Sequence, residues 1–510
     1  MDLFDELIGL LLSGEIQTRE DLQRAKIRLC RKYSVADLPR NSEILAKIPE
    51  ANAKELRHLL VKKPQRTLSG VAVVAVMTRP SPCPHGKCLY CPGGVEYGTP
   101  QSYTGKEPAA LRAARHSFDP YRQVRDRIKQ LQNVGHSTDK VDLIAMGGTF
   151  TAFDEEYQRD FIKRCFDALN GEVSPNLEEA QRRNETARSR CIGLTIETRP
   201  DCFLDDDVKR SLSFGVTRVE LGVQTTNEEV LHDVLRGHGV KEVKDATERA
   251  KNAGLKVCYH LMPGLPGMTP RDDLDSFKEI FDNPAYRPDM LKIYPTAVVK
   301  GTGLYDRWRR GEFEPYDTQT VAELIATIKS LTPPWVRIQR IQRDIPIPLT
   351  VGGVRKGHLR ELARELLRGR GKRCNCIRCR EVGRLVDNQD LSIEDADLVR
   401  REYKSSGSTE IFLSLEEGDV LFGYARLRKC LDVARLRELK VLGELVPFDE
   451  KPASRWQHQG IGTLLLEECE RIARDEWNAD YFHVTSGVGA LKYYEMFLFS
   501  RCGPYMCKSL

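Results

Sequence analysis

Three cysteines fall within nine residues of the stretch CPHGKCLYCPGG, at Cys83, Cys88 and Cys91, among two prolines and three glycines. A four-ligand zinc site ordinarily draws on paired Cys-x2-Cys units or on histidines at set distances, and the next cysteine here is Cys165. Three thiolates suit an iron–sulfur cubane better: they hold three irons and leave the fourth open to bind a small molecule. His85, inside the loop, keeps a zinc site as the alternative. A glycine pair, Gly147 and Gly148 in MGGTF, ends another apolar run, where it makes either an ordinary turn or a close backbone approach to a ligand. Far downstream, Gln457-x-x-Gly460-x-Gly462 opens an amphipathic stretch. Such glycines let the backbone approach a pyrophosphate, whose charge is met by amide groups and the positive end of the helix. A dinucleotide fold would also need a preceding βα unit and an acidic residue some 20 positions on, and the pattern supplies neither.

These groups need elements to position them. With 510 residues and 40% hydrophobic content the chain can form roughly three domains. Its first 70 residues read as helical and end in a basic stretch holding Lys54, Arg57, Lys62, Lys63 and Arg66, either a solvated helix face or a phosphate-contacting element. From Val71 onward, the runs VAVVAVM, VDLIAMGG, CIGLTIET, RVELGVQT, VCYHLMPG, LKIYPT and WVRIQRI alternate with amphipathic segments. This predicts an α/β domain with a parallel sheet whose strands are buried on both faces, and chemistry at their C-terminal ends. Glu197 to Arg199, Gln224 and Pro263 to Gly267 gather at those ends. A Gly- and Arg-rich junction follows Leu349, and beyond about residue 386 strands precede a helix, a second α/β domain of another kind. No signal segment or apolar run of about 18 residues is present, so a soluble, cytoplasmic protein without membrane contact is expected. In a reducing compartment fifteen clustered cysteines argue for metal or redox chemistry over a disulfide framework. The net charge of +5 leaves any case for nucleic acid to local basic density.

The cysteine loop after a first strand resembles the radical S-adenosylmethionine superfamily, whose commonest spacing is Cys-x3-Cys-x2-Cys; this chain has one extra residue in the first gap. QHQGIGTLLLEECERIA, followed by YFHVTSGVGALKYYEMFLF, resembles the acyl-CoA-binding core of the Gcn5-related acetyltransferases. Both modules in this order, with QSYTGKEPAALRA, DKVDLIAMGGTF, GLTIETRPD, QRDIPIP, CIRCREVG and GPYMCK, closely resemble the catalytic third subunit of Elongator in its archaeal or bacterial stand-alone form, from about residue 60 to the last.

The resemblance implies a helical tRNA-binding region (1–70), a radical S-adenosylmethionine partial TIM barrel (71–345), a basic linker with a zinc site (346–385) and an acetyltransferase domain (386–510). It implies a tRNA carboxymethyluridine synthase acting at C5 of the wobble uridine in the anticodon stem-loop, with acetyl-CoA as carbon donor and an electron donor for a 4Fe–4S cluster. Carried over, Cys83, Cys88 and Cys91 hold the cluster, and Gly147, Gly148 and Gln224 hold S-adenosylmethionine. Lys140, Glu438, Leu439, Lys440, Val441, Gln457, Gly460, Ile461, Gly462, Thr463 and Tyr494 hold acetyl-CoA, with Lys140, Glu438 and Tyr494 nearest the chemistry. Cys374, Cys376 and Cys379 resemble the family's junction zinc ligands. For tRNA, Arg337, Arg340 and Arg343 join the basic N-terminal stretch. A homodimer is compatible with this scheme. The rival readings are a protein lysine acetyltransferase with a structural cluster and a tRNA-binding scaffold. In one place the chain departs from the family: Leu498-Phe499 stands where a Gly–aromatic pair is usual.

Overall fold

The computed structural model describes residues 2–35, 37–49, 52, 56, 59–61, 67–384, 391–443, 457 and 459–510. Three helices open the chain, Leu3–Leu12, Arg19–Lys32 and Asn41–Lys47. The first two begin with reciprocal caps, Asp2 with Asp5 and Thr18 with Asp21, each satisfying two orphan backbone donors. Their apolar faces close a small core around Leu7, Leu29 and Ile44. Lys54, Arg57, Lys62, Lys63 and Arg66 lie outside the described residues.

The next layer is a seven-stranded parallel sheet of β1 (Ala72–Met77), β2 (Lys140–Met146), β3 (Arg190–Thr198), β4 (Arg218–Gln224), β5 (Lys256–Leu261), β6 (Met290–Ile293) and, past the short β7 (Val298–Val299), β8 (Arg337–Ile341). Neighbours in the sheet follow chain order, as in an incomplete barrel. All seven apolar runs are strands, but their two faces differ. Val141 and Leu143, Val219 and Leu221, and Val257 and Tyr259 enter the core beneath the crossover helices. The alternate positions carry charged or polar side chains: Lys140 and Asp142, Arg218 and Glu220, Lys256 and His260. The strands are thus nearly continuously buried, yet one face is a packed core and the other a polar lumen.

Residues 346–384 pack against both domains. The strand β9 (Thr350–Gly352) pairs with β7, and the helix Leu359–Gly369 sinks Leu359, Ala363 and Leu367 into the first core. Cys376 belongs to that core while its neighbour Ile377 belongs to the second, so the segment is a rivet between domains.

The second sheet runs β10 (Asp397–Ser405), β11 (Ser408–Glu417), β12 (Val420–Cys430), β13 (Val433–Val441) and β14 (Tyr481–Val484), with β15 (Ser500–Cys502) and β16 (Tyr505–Ser509) closing its far edge in the order β14–β16–β15. β13 and β14 are parallel and pair only from Val433 to Leu436, whereas β13 continues to Val441. The strands therefore splay, leaving the 437–441 edge without β14. Cys502 and Cys507, outside both cysteine groups, are joined across the terminal hairpin.

The two sheets are bound together by buried charge. Arg437 reaches Asp289 at 2.5 Å and Glu410 at 3.0 Å, Glu410 also takes Arg428 at 2.9 Å and Lys251 at 3.3 Å, and all five are fully buried. Buried charges persist only when paired this completely. Trp335 stacks on Tyr403 at 4.4 Å between ring centres. A Cβ on Gly487 would stand 2.2 Å from the Ile192 carbonyl oxygen, so β3 and the acyl domain meet backbone to backbone.

Candidate active site

The loop after β1 carries its three thiols to the C-terminal mouth of the sheet. Gly93 permits this fold: its φ is +66° and a Cβ there would lie 1.8 Å from the Tyr103 carbonyl oxygen. Donors from elsewhere meet the sulfurs. Gln101 Nε2 donates to Cys91 Sγ at 3.3 Å, Arg236 Nη1 to Cys88 Sγ at 3.6 Å, and His85 Nε2 lies 3.2 Å from Cys88 Sγ. Burial pushes the Cys83 and Cys91 thiols up, partly opposed at Cys83 by the Thr149 hydroxyl and the Arg199 guanidinium. Burial also drives His85 down to about 4, so its ring is neutral. Three largely buried thiols, two of them with N–H donors at their backs and Cys83 beside the Thr149 hydroxyl, next to open space, fit a cluster whose irons would supply the missing positive charge.

That open space is a cavity of ≈ 1100 Å³, mouth included, lined by the three cysteines and by Gly148, Gln224, Glu197, Arg199, Arg340 and Arg343. Gly147 (φ +141°) packs on Thr78, whose hydroxyl is buried without a hydrogen-bond partner. A Cβ on Gly148 would stand 3.1 Å from the Gln101 carbonyl oxygen. Gln224 holds φ +74°, a left-handed conformation costly for a side-chain-bearing residue, at the end of β4. The cluster loop, Gly148 and Gln224 thus converge on one chamber, with Gly147 packed on Thr78 behind Gly148, a cradle that suits a polar small molecule.

On the floor of the chamber the lumen presents groups that the strand reading missed. His260 Nε2 lies 2.8 Å from Glu220 Oε2, Lys292 pairs with the same carboxylate, and Lys292 Nζ is 3.6 Å from Glu197 Oε1. Burial would raise Glu220, but Lys292, His260 and Arg218 outweigh it and hold the carboxylate below its ordinary range. Tyr103 donates to Glu197 at 2.9 Å. Lower in the lumen Arg218 meets Asp142 at 3.2 Å, and Lys256 is pushed down to about 8 by burial against the pull of Glu438 and Asp142. A charged track therefore runs from the acyl sheet to the chamber. Charges at alternate positions in RVELGVQ and KVCYHL were the signal for it.

At the far end of this track, Lys140 Nζ donates to Gln457 Oε1 at 3.0 Å and is pushed down to about 8 by burial. Lys140 opens β2 and Gly147 follows its end, seven residues or about 23 Å of strand away. Gly460 (φ +84°) takes the left-handed conformation just before the helix Ile461–Arg471, whose first residues include Gly462 and Thr463. A Cβ on Gly462 would come within 2.7 Å of the Tyr493 hydroxyl, so the first tyrosine of the Tyr-Tyr pair faces the glycine loop. Tyr494 is buried in the second core, edge-on to Tyr493 and Phe499. Glu438 accepts from Arg426 Nε at 2.9 Å; burial would raise it, but Arg426, Lys256 and Lys440 hold it below the ordinary range. Leu439, Lys440 and Val441 line the splayed edge of β13.

Not every expected residue joins this chamber. Arg337 starts β8, at the opposite end from the mouth, and is 6% exposed, its guanidinium held by Glu381 at 2.8 Å and Ser69 at 3.0 Å; it ties the domains and presents no face to a phosphate. Arg340 and Arg343 do reach the cavity. Cys374, Cys376 and Cys379 lie elsewhere, their ligand atoms all within 4.8 Å of one another, and Lys329 donates to Cys379 at 3.3 Å. Three sulfurs that close can share one metal ion, since tetrahedral zinc holds thiolates about 3.8 Å apart.

Comparison with known proteins agrees along the whole chain. Residues 80–280 match the radical SAM superfamily, 288–368 the Radical_SAM C-terminal domain, 384–498 the acetyltransferase (GNAT) family and 1–68 the ELP3 N-terminal domain. The tRNA uridine(34) acetyltransferase of Methanocaldococcus jannaschii is 50% identical over 531 residues, covering 100% of this chain and 97% of that one. This chain belongs to the Elp3 family. Elongator complex protein 3 of Homo sapiens is 44% identical over 527 residues, covering 99% of this chain and 96% of that one. The structure of Methanocaldococcus infernus Elp3 lacking its N-terminus superposes with a TM-score of 0.77 at 45% identity, covering 87% of this chain and 100% of that one. For an Elp3-family chain, the radical SAM match implies a 4Fe–4S cluster and S-adenosylmethionine, and the GNAT match fits acetyl-CoA. No helix among the described residues is long and apolar enough to cross a membrane.

Proposed function

We propose that this chain is a tRNA carboxymethyluridine synthase, joining the methyl carbon of acetyl-CoA to C5 of uridine 34. The observation that carries the reading is the charged lumen linking Glu438 of the acyl sheet, by way of Lys256 at the start of β5, to the chamber at Glu220 and His260. C5 of uracil is not acidic and the acetyl methyl is a poor nucleophile, so proton transfer alone offers no easy route to this bond. Cys83, Cys88 and Cys91 would hold a 4Fe–4S cluster, which with S-adenosylmethionine would supply the radical chemistry needed to take a hydrogen atom from that methyl group.

The chain's own residues bind, orient and exclude water. Gly147 and Gly148 give backbone access to S-adenosylmethionine, and Gln224 shapes the opposite wall. Gln457, Gly460, Ile461, Gly462 and Thr463 cradle the pyrophosphate at a helix N-terminus, and the edge of Leu439, Lys440 and Val441 receives the pantetheine amides. Lys140 and Glu438 position the thioester arm where the lumen begins, and Tyr494 supports the Tyr493 ring against the loop. Arg340 and Arg343 receive phosphates at the mouth, where the wobble base is splayed out, and the basic stretch from Lys54 to Arg66 adds affinity that falls steeply with salt. Zinc at Cys374, Cys376 and Cys379 fastens the domains. An external electron donor completes the system.

Incubation with tRNA, acetyl-CoA and S-adenosylmethionine under anaerobic reducing conditions is expected to yield 5′-deoxyadenosine and carboxymethylated uridine together. Acetylated protein without 5′-deoxyadenosine would overturn this in favour of a lysine acetyltransferase.

A further inference from the structure

The terminal hairpin carries a third group of soft ligands. Cys502 and Cys507 flank the Gly503–Pro504 turn between β15 and β16, with Gly503 in the left-handed conformation at φ +60°. On the neighbouring strand His483 is the direct cross-strand partner of Cys507, so both side chains share one face of the sheet. The structure joins the two sulfurs, and a ring nitrogen of His483 lies within 4.8 Å of both. His483 Nδ1 is buried and has no hydrogen-bond partner, while its ring stacks on Tyr505 at 5.5 Å. Tyr505 is itself anchored across the domain boundary, donating to the Ala253 carbonyl at 3.0 Å.

We propose that His483, Cys502 and Cys507 form a soft-metal site that takes one Zn²⁺ when the two cysteines are reduced. Two thiolates and a neutral imidazole are a zinc donor set, with water or a solvent ligand in the fourth position. Disulfide and metal are then exclusive states of the same residues. A dithiol such as dithiothreitol delivers two electrons and two protons to the S–S bond and is itself oxidised to a disulfide. Zn²⁺ then displaces the two thiol protons and accepts a lone pair from each sulfur and from the ring nitrogen. The site is separate from the junction triad and from the chamber, and it depends on no cluster chemistry.

The test uses the full chain, reduced anaerobically, equilibrated with Zn²⁺ in a competing chelator and assayed for bound zinc. Wild type is expected to hold one equivalent more than Cys502→Ser/Cys507→Ser, whatever the junction binds, and to lose that equivalent when oxidised with peroxide. His483→Gln, which leaves both sulfurs and the hairpin intact, should weaken the same equivalent at least about tenfold. Alkylation gives an independent readout: zinc should slow labelling of Cys502 and Cys507, and a strong chelator should restore it. Equal zinc content in reduced wild type and the double variant, or alkylation indifferent to zinc, would overturn the proposal.

Discussion

The two cysteine triads use one ligand type for opposite ends. Cys374, Cys376 and Cys379 crowd within 4.8 Å of each other between two hydrophobic cores, where a shared ion closes a contact. Cys83, Cys88 and Cys91 do not form so close a group; they line the open-mouthed chamber, with Gln101 and Arg236 donating to the Cys91 and Cys88 sulfurs from behind. The spacing Cys-x-Cys-x2-Cys folds back on itself at the start of a helix, whereas Cys-x4-Cys-x2-Cys wraps a loop around something larger. Room in front of the sulfurs and donors behind them distinguish a centre that reacts from one that holds.

The sharpest way to break this contrast is one serine in each triad. Cys88→Ser is expected to lower 5′-deoxyadenosine formation at least about a thousandfold, with little change in thermal stability. Equal turnover in the variant would end the distinction. Cys376→Ser should do the reverse: its side chain is fully buried, and losing a metal ligand there should cost roughly 3 kcal/mol, read as a lowered melting temperature. A strong chelator should lower the melting temperature of the wild type toward that of this variant and leave the variant unchanged.

A smaller effect comes from pH and touches neither triad. Lys140 is held at about 8, below its ordinary 10.5, because burial disfavours its charge. It is charged below that value and neutral above, so KM for acetyl-CoA should rise as pH passes 8 while kcat changes less. Lys140→Arg stays charged and should remove the break; a break that persists would show that Lys140 does not hold the thioester. Since the folded state favours neutral Lys140, stability should increase from pH 8 toward 10.5.

Much of this was legible in the sequence. The seven apolar runs became the seven parallel strands in order, because continuous β-branched segments separated by amphipathic ones have few other ways to pack. The glycine loop was found at the head of its helix. The lumen was not foreseen, since treating RVELGVQ as uniformly buried hid that Arg218 and Glu220 share one face and Val219 and Leu221 the other. Arg337 was placed at the mouth by its nearness in sequence to Arg340 and Arg343, but it starts β8, whereas Arg340 lies near the end of that strand and Arg343 beyond it, so Arg337 sits at the opposite end, in the junction. Tyr493 and Tyr494 differ by one helical step of about 100°, which sends one to the glycine loop and the other to the core. Only the packed chain decides which.

The smallest test supplies a baseline for both triads, because it changes the local backbone and touches neither. Leu498 follows the Tyr-Tyr helix with φ +66° and is 81% exposed, so its side chain pays nothing back in burial for a left-handed conformation. Its amide donates to the Glu495 carbonyl at 3.1 Å and that of Phe499 to the Tyr494 carbonyl at 3.3 Å, so the turn is fixed by the helix end and not by the leucine. Glycine adopts this conformation without the Cβ penalty, though it adds entropy to the unfolded chain. Leu498→Gly is therefore expected to stabilise the protein by about 0.5–1 kcal/mol, with zinc content and 5′-deoxyadenosine formation unchanged. A lowered melting temperature would mean that the exposed leucine is covered by something in solution, and the turn would then need a partner to explain it.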